Sequence, residues 1–195
     1  MILPIRAFGD PVLKKVATDI APDHPGLEGL IADMYETMYA ASGVGLAAPQ
    51  VGHSIRLFIV DASPFAVDDQ GEPIPEQVHL KDFKRVFINA HVVDEVGEEW
   101  PFEEGCLSIP NIREDVARPP TLRLKFMDER FKSHEEEFTG FAARVLQHET
   151  DHLDGVLFTD HLPPLRKRLL QGKLRDIAMG NTDVKYKMRF PKIKR

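Results

Sequence analysis

Two histidines and a glutamate stand in the spacing H-E-x-x-H, as His148, Glu149 and His152. If this stretch is helical, the histidines lie four residues apart and project from the same face. Two imidazoles placed in this way can hold one metal ion, and the glutamate can carry the proton of a water molecule that the ion activates. The pattern predicts a metal-dependent hydrolytic site, although two surface histidines and a glutamate could also share it without binding a metal.

The third ligand decides which chemistry such a site performs. A catalytic metal usually takes three protein ligands and leaves one position open. The extended protease pattern places a third histidine six residues after the second, where this chain has Phe158, and no glutamate follows Glu149 to complete a thermolysin-like site. His161 and several aspartates match neither pattern. The best remaining candidate is Cys106, the only cysteine, whose thiolate suits Zn²⁺ or Fe²⁺; the alternative is an inert buried cysteine.

Helices must position the two histidines and cover the core. Residues 139–153 fit a helix that carries H-E-x-x-H and stops at Gly155. Apolar residues that recur with a period of 3.6 predict an earlier helix over residues 27–41. A basic helix is predicted over residues 165–179.

Strands are predicted in runs between these helices. The apolar or alternating segments are residues 55–60, 86–89 together with 92–93 as one strand, 121–126, a stretch that ends at residue 138, and 184–190. Residues 61–85 and 97–104 are polar and rich in turn-forming residues, and they predict irregular connections. This order indicates an α+β fold, with antiparallel or mixed sheets packed around the central H-E-x-x-H helix and with flanking N- and C-terminal helices.

Length and composition are those of an ordinary globular protein. The 195 residues predict one catalytic domain, residues 1–195, and no apolar run is long enough to predict a membrane span. A single cysteine excludes an intrachain disulfide. Together with an N-terminus that resembles neither a signal nor a transit peptide, it predicts a cytoplasmic protein.

The charge is unevenly distributed. The whole chain carries a net charge of -6, whereas residues 165–195 hold eleven Lys or Arg against two acids. A basic C-terminal helix and tail on an acidic body predicts contact with a polyanion such as a ribonucleoprotein surface. The alternative is a solvated amphipathic helix and tail.

Three sequence blocks together resemble the peptide deformylase family. They are G-V-G-L-A-A-P-Q at residues 43–50, E-G-C-L-S at 104–108 and Q-H-E-T-D-H-L-D-G at 147–155. Each block alone is of limited specificity, but all three occur in the order of the family. The resemblance extends over nearly the whole chain.

The resemblance implies a role for each matched residue. Cys106, His148 and His152 would bind one divalent metal, typically Fe²⁺, with Zn²⁺, Ni²⁺ or Co²⁺ as substitutes. Glu149 would act as general acid and base. The side chain of Gln50 and the backbone N–H of Leu107 would stabilise the oxyanion.

The same resemblance implies a substrate and a partner. The substrate would be a nascent polypeptide that begins with N-formylmethionine, and the products would be formate and a free amino terminus. In the family a basic C-terminal element can dock on the ribosome, which fits the basic segment 165–195. We expect a monomer that does not bind a membrane.

The binding pocket is predicted from helix spacing. Phe141, Arg144 and Val145 precede His148 by seven, four and three residues and would share its face. With Val44 they could form a wall for the methionine side chain, with the charge of Arg144 reaching the rim, although ordinary core packing is the alternative for Phe141 and Val145. An extended peptide could pair with the backbone where there is no side chain, at Gly43, Gly45 and Gly105.

Two other functions fit parts of the sequence. An endopeptidase of the H-E-x-x-H type is disfavoured because the usual downstream ligand is missing. A non-enzymatic ribosome- or RNA-associated protein with a structural metal is disfavoured because closed structural sites usually have four protein ligands, and only three good candidates exist.

Overall fold

The computed structural model describes residues 1–68 and 70–191. The strands are β1 (Ile5–Arg6), β2 (Gly45–Ala47), β3 (Leu57–Asp61), β4 (Lys84–Val96), β5 (Trp100–Cys106), β6 (Ile109–Arg118), β7 (Thr121–Met127), β8 (Ser133–Thr139) and β9 (Met188–Arg189). The α-helices are α1 (Leu27–Ala40), α2 (Gly140–Leu153) and α3 (Pro164–Ala178). Short 3₁₀ helices cover Pro11–Lys14, Ala48–Val51, Ser63–Ala66, Pro75–Leu80 and Phe158–Asp160.

A five-stranded antiparallel sheet forms the centre, in the order β2-β3-β4-β7-β8. Strands β5 and β6 form a separate antiparallel hairpin, and β1 and β9 pair in parallel. The predicted α+β class, with antiparallel and mixed pairing around a central helix, is confirmed.

Strand β3 explains why both faces of the sheet are covered. All five of its residues are buried. Because successive side chains of a strand point to opposite faces, Phe58 and Val60 join the cluster that contains α2, whereas Leu57 and Ile59 join the cluster that contains α1. Full burial of each such side chain contributes about 1.5–3 kcal/mol. This double burial fixes α2 firmly against the sheet.

Helix α2 has the bounds that the sequence predicted. Its core face packs Ala142, Ala143 and Leu146 on the sheet. The helix ends at Leu153, and the chain then leaves it through Gly155, which has a φ of 72°. A left-handed residue just beyond a helix satisfies its last carbonyls and strongly favours glycine. The two histidines of the motif are therefore held in a rigid, capped helix.

The structure corrects the prediction for residues 97–104. This acidic stretch reads as a turn-rich connection, but β5 occupies most of it and pairs along its length with β6, for which no strand was predicted. The local sequence gives little indication of this strand, because acidic residues have low strand propensity. Its pairing with β6 depends instead on tertiary contacts. The hairpin matters because β5 carries Cys106.

Two further strands differ in length from expectation. The strand predicted over 86–89 and 92–93 is β4, which is longer than predicted at both ends and passes through two register shifts against β7. Such bulges bend a strand without ending it, so the apolar pattern is interrupted while the strand continues. At the other end, only Met188–Arg189 of the predicted strand 184–190 is strand.

Helix α3 is confirmed within one residue of its predicted ends. Leu170, Leu174 and Ile177 are buried in a cluster with residues of β6, while the basic residues of the helix face outward. Residues 192–195 of the basic tail lie outside the described residues. Among the residues that the structure covers, no helix is long and apolar enough to cross a membrane.

Gly155 should be a stability hot spot. A Cβ at this left-handed position would stand 2.8 Å from the backbone C and O atoms of Lys14. Gly155→Ala should therefore lower the free energy of unfolding by about 2 kcal/mol or more. Gly172→Ala, in an open position of α3, should instead raise it by about 0.5–1 kcal/mol. Urea denaturation followed by circular dichroism measures both, and equal values for the two variants would contradict this account.

Candidate metal and catalytic site

Three metal-binding side chains meet between the β5–β6 hairpin and α2. One potential ligand atom from each of Cys106, His148 and His152 lies within 4.8 Å of the others. The Cys106 Sγ is 3.3 Å from the His152 Nε2. Ligand atoms about 2.0–2.3 Å from one tetrahedral ion are themselves less than about 4 Å apart. The donor set and this spacing fit a divalent cation with a soft sulfur ligand.

Charge within this cluster favours a thiolate. Burial alone would raise the pKa of Cys106, but the His152 and His148 rings reverse the shift and lower that pKa to about 5. Burial opposes a charged His148, and its hydrogen bonds to Cys106 and Glu104 nevertheless raise its pKa. A divalent ion binds a thiolate and neutral imidazoles, so its binding would be coupled to loss of the proton that the thiolate helps to hold on His148.

Glu149 is the buried acid of the site. Its Oε2 atom is buried and has no hydrogen-bond partner among the described residues. Its Oε1 packs on Gly45, where an added Cβ would approach to 2.3 Å. Burial raises the pKa of Glu149 to about 7, although the neighbouring histidines pull it down. A buried carboxylate oxygen without a protein partner is suited to exchanging a proton with a bound molecule.

Gln50 faces the cluster from the 3₁₀ helix that follows β2. Its Oε1 accepts a hydrogen bond from the Ala47 N–H at 2.8 Å, which directs the amide Nε2 toward the site. There Nε2 lies 3.4 Å from the Cys106 Sγ and 3.3 Å from the Ser108 Oγ. Leu107 lies beside Ser108 in the β5–β6 turn and lines the cavity. The two predicted oxyanion donors thus adjoin the metal-binding cluster.

Glu104 supports the site from behind, a role that the sequence analysis did not assign. Its Oε2 lies 3.0 Å from the His148 Nδ1, which leaves Nε2 as the ring nitrogen available to a metal. Arg118 donates to both of its carboxylate oxygens, at 2.7 and 3.0 Å. Burial would raise the pKa of Glu104, but His148 and Arg118 lower it to about 2. A carboxylate that holds a ligand histidine in this way fixes its tautomer and ring orientation.

A signal for Glu104 was present in the sequence. It lies two positions before Cys106, and residues two apart on a strand share a face. The signal was weak because β5 itself was not predicted. No local pattern marks Arg118 as its partner, since the two are brought together only by the β5–β6 pairing.

The structure corrects the expected position of Arg144. Its charge was predicted to reach the rim of the pocket, but the side chain is only 3% exposed. The guanidinium donates to Glu104 at 3.2 Å and to the carbonyls of Val116 and Trp100, and it lies over the Trp100 ring. A buried guanidinium needs such partners, because an unpaired charge away from water is costly.

A cavity of about 860 Å³ opens onto the cluster. Of the residues predicted to contact substrate, those that line it are Gly43, Val44, Gly45, Gly105, Arg144 and Val145. Phe141 lies behind the wall, with its ring stacked on Phe65 at 5.3 Å and edge-on to Phe102 at 5.2 Å. Phe65 and Phe102 line the cavity in its place, and neither was identified because both fall in segments predicted to be irregular.

Glu104 should control metal affinity. Glu104→Gln keeps the shape of the side chain but removes the charge that holds His148, so divalent-metal affinity should fall about 10–100-fold. Cys106→Ala, which removes a ligand, should abolish tight binding. Glu103→Gln, at the exposed neighbouring position, is the matched control and should leave affinity unchanged. Competition against a chelator measures each value, and unaltered affinity in Glu104→Gln would refute the supporting role.

Comparison with known proteins agrees with this geometry. The family model described as polypeptide deformylase matches residues 2–168. A peptide deformylase of Flavobacterium johnsoniae is 57% identical over 195 residues, covering 100% of this chain and 99% of that protein, and one of Christiangramia forsetii is 54% identical with the same coverage. The crystal structure of a peptide deformylase from Legionella pneumophila is 36% identical, covers 93% of this chain and 98% of its own, and superposes with a TM-score of 0.76. The chain belongs to the polypeptide deformylase family.

Proposed function

We propose that this chain hydrolyses the N-formyl group of newly made polypeptides that begin with formylmethionine, releasing formate and a free amino terminus. Family membership supports the reaction. The observation that carries the assignment to residues is the meeting of Cys106, His148 and His152 beside Glu149, whose buried Oε2 has no partner among the described residues. The proposed catalytic residues are Glu149, Gln50 and Leu107.

We propose Cys106, His148 and His152 as the ligands of one divalent ion per chain. A thiolate with two imidazoles suits Fe²⁺, and Zn²⁺, Ni²⁺ and Co²⁺ are expected substitutes. When bound, such an ion supplies Lewis acidity that makes water a usable nucleophile near neutral pH. Three protein ligands leave a position open for the reacting groups, as in other catalytic sites.

The side chains around the ligands have complementary roles. Glu149 takes a proton from the attacking water and delivers it to the leaving amine, so water and the formyl amide become formate and an amine. Negative charge develops on the former carbonyl oxygen during the attack. In this proposal the Gln50 amide and the Leu107 backbone N–H donate to that oxygen, and one such donor contributes about 3 kcal/mol.

The cavity suits an extended peptide with an apolar first side chain. Val44, Val145, Phe65 and Phe102 supply its apolar lining. Strand β2 is at one edge of the central sheet, so a peptide strand could pair beside Gly45. Gly43 and Gly105 leave backbone accessible on the two sides of the cleft. An extended chain that begins with formylmethionine fits this arrangement.

Glu149→Gln should separate catalysis from metal binding. The amide keeps the size of the side chain but cannot accept the proton, so formate release from formyl-Met-Ala-Ser should fall about 10²–10⁴-fold. Bound metal should stay at the level of the unmodified chain, which excludes loss of the ion as the cause. A formate-specific coupled assay measures the rate. Undiminished formate release in the variant would overturn the role of Glu149.

The substrate assignment has its own control. The unmodified chain should release formate from formyl-Met-Ala-Ser and should not cleave a longer peptide at internal bonds, as mass spectrometry can verify. Internal cleavage without formate release would favour an endopeptidase and contradict the proposal.

We also propose that the whole chain acts as one catalytic unit, as a monomer in the cytoplasm. The pairing of β1 with β9 supports the single catalytic unit, because it joins residues 5–6 to residues 188–189. The cavity supports it too, since residues from both the N-terminal half and the C-terminal segment line it.

The outer face of α3 is our candidate for contact with the ribosome. Arg168, Lys173 and Arg175 are exposed on this helix. Leu165 and Leu169, one turn apart, are 69% and 64% exposed. A cationic surface of this kind favours a polyanionic partner, and ribosomal RNA is the polyanion closest to nascent chains.

Charge reversal is a better test of ribosome contact than truncation, because removing α3 would also remove buried core residues. The triple substitution Arg168→Glu, Lys173→Glu and Arg175→Glu should reduce co-sedimentation with ribosomes at least tenfold at low salt. Three exposed cations elsewhere, Lys81, Lys125 and Arg130, changed to Glu provide a control of equal net charge. If both triple variants lost co-sedimentation equally, binding would depend only on net charge, and the proposed contact through α3 would be wrong.

A further inference from the structure

The segment from Thr182 to Tyr186 crosses one side of the catalytic cavity. It follows α3 and precedes β9, and four of its residues line the cavity: Asp183, Val184, Lys185 and Tyr186. The family model ends at residue 168, before this segment begins. The segment therefore lies beyond the part of the chain that the family model matches.

Two hydrogen-bonded contacts fix the segment to the β5–β6 hairpin. At one end the Asn111 side chain donates to the Asp183 carbonyl at 3.0 Å and to the Thr182 Oγ1 at 3.4 Å. At the other end the Tyr186 hydroxyl donates to the Leu107 carbonyl at 2.8 Å. The chain then continues into the parallel pairing with β1, where the Ile5 N–H donates to the Lys187 carbonyl at 2.9 Å. The position of Tyr186 is thus set from both sides.

The contact with Leu107 falls on the turn of the hairpin. Cys106 and Ile109 are the last pair of the β5–β6 ladder, so Leu107 and Ser108 form the turn between them. Ser108 is held by the Phe8 N–H, which donates to its carbonyl at 2.8 Å. The carbonyl of Leu107 is held by the hydroxyl of Tyr186. That carbonyl belongs to the peptide plane between Leu107 and Ser108, whereas the Leu107 N–H belongs to the plane before it. The two planes meet at the Leu107 Cα, so the bond from Tyr186 holds this Cα and through it limits how far the N–H can turn.

We infer that Tyr186 is a positioning residue for deformylation, which holds the hairpin turn so that the Leu107 N–H points at the oxyanion. This inference rests on the proposed function, in which that N–H is a donor. Preorganised donors stabilise a transition state only if their direction is fixed before the reaction. Loss of the hydroxyl leaves the turn attached through Ser108 but frees the peptide plane between Leu107 and Ser108, and with it the Leu107 Cα to which the N–H group is joined.

Tyr186→Phe tests the inference, with Tyr35→Phe as the matched control. The Tyr35 hydroxyl makes the same type of bond, to the Arg85 carbonyl at 3.1 Å, and Tyr35 does not line the cavity. Tyr186→Phe should lower kcat for formyl-Met-Ala-Ser about three- to tenfold, the range that corresponds to one neutral hydrogen bond. KM should stay within about twofold, because the donor acts on the transition state. Tyr35→Phe should change neither constant.

A spectroscopic measurement distinguishes a local effect on the Leu107 amide from a general loss of stability. In a ¹⁵N-labelled chain with matched metal content, Tyr186→Phe should shift the Leu107 amide resonance and speed its hydrogen exchange, while Tyr35→Phe leaves both unchanged. The inference is overturned if kcat is unaltered, if only KM rises, or if both variants lose the same activity. The activity of the unmodified chain tests the proposed function separately. If the unmodified chain released no formate, the proposed function would be wrong. If the unmodified chain and the Tyr186→Phe variant were equally active, only the role of Tyr186 would be wrong.

Discussion

The buried carboxylate of Glu104 is the interaction on which the site depends. It connects three elements, because it bonds to His148 on α2 and to Arg118 on β6 while belonging to β5 itself. Removing one partner of a buried ion pair typically costs about 3–5 kcal/mol, since the other charge is left without compensation. The same bonds that hold the hairpin against the helix therefore also bring Cys106 to the two histidines. Stability and ligand geometry are coupled through one side chain.

The site combines a rigid part with a part assembled over long distances. Helix α2 presents His148, Glu149 and His152 in fixed register, on the face that the sheet and the hairpin cover. Gln50 comes from a 3₁₀ helix, Cys106 from the end of β5 and Leu107 from the turn after it. Gln50 is directed by a bond from the nearby Ala47, and the turn at Leu107 is held by a bond from Tyr186. Small errors in placing such groups are expensive, because a displacement of about 1 Å can cost 10²-fold in rate. The hydrogen bonds around these residues restrict such displacements.

The parts predictable from sequence were those encoded locally. The period of α2 and its glycine stop appear directly in residues 139–155. The absence of the usual downstream ligands pointed to Cys106 as the candidate third ligand, and the structure brings it close to His148 and His152. Strand β5 was missed because its acidic residues gain their stability from pairing with β6, and Glu104 was missed with it. The inward guanidinium of Arg144 could not be foreseen, since its partners lie on β5 and β6, far from it in the chain. Local patterns report helices and ligands, whereas buried charge networks are properties of the assembled fold.

The parallel pair of β1 and β9 has a consequence for biosynthesis. Residues 5–6 bond to residues 188–189, so this contact cannot form until residue 189 has been synthesised. Contacts between such distant residues also close slowly, because the intervening chain must be ordered first. The segment that borders the cavity is anchored by this pair. A molecule of this enzyme thus acquires its full cleft late in its synthesis, after residues 5–6 and 188–189 have come together.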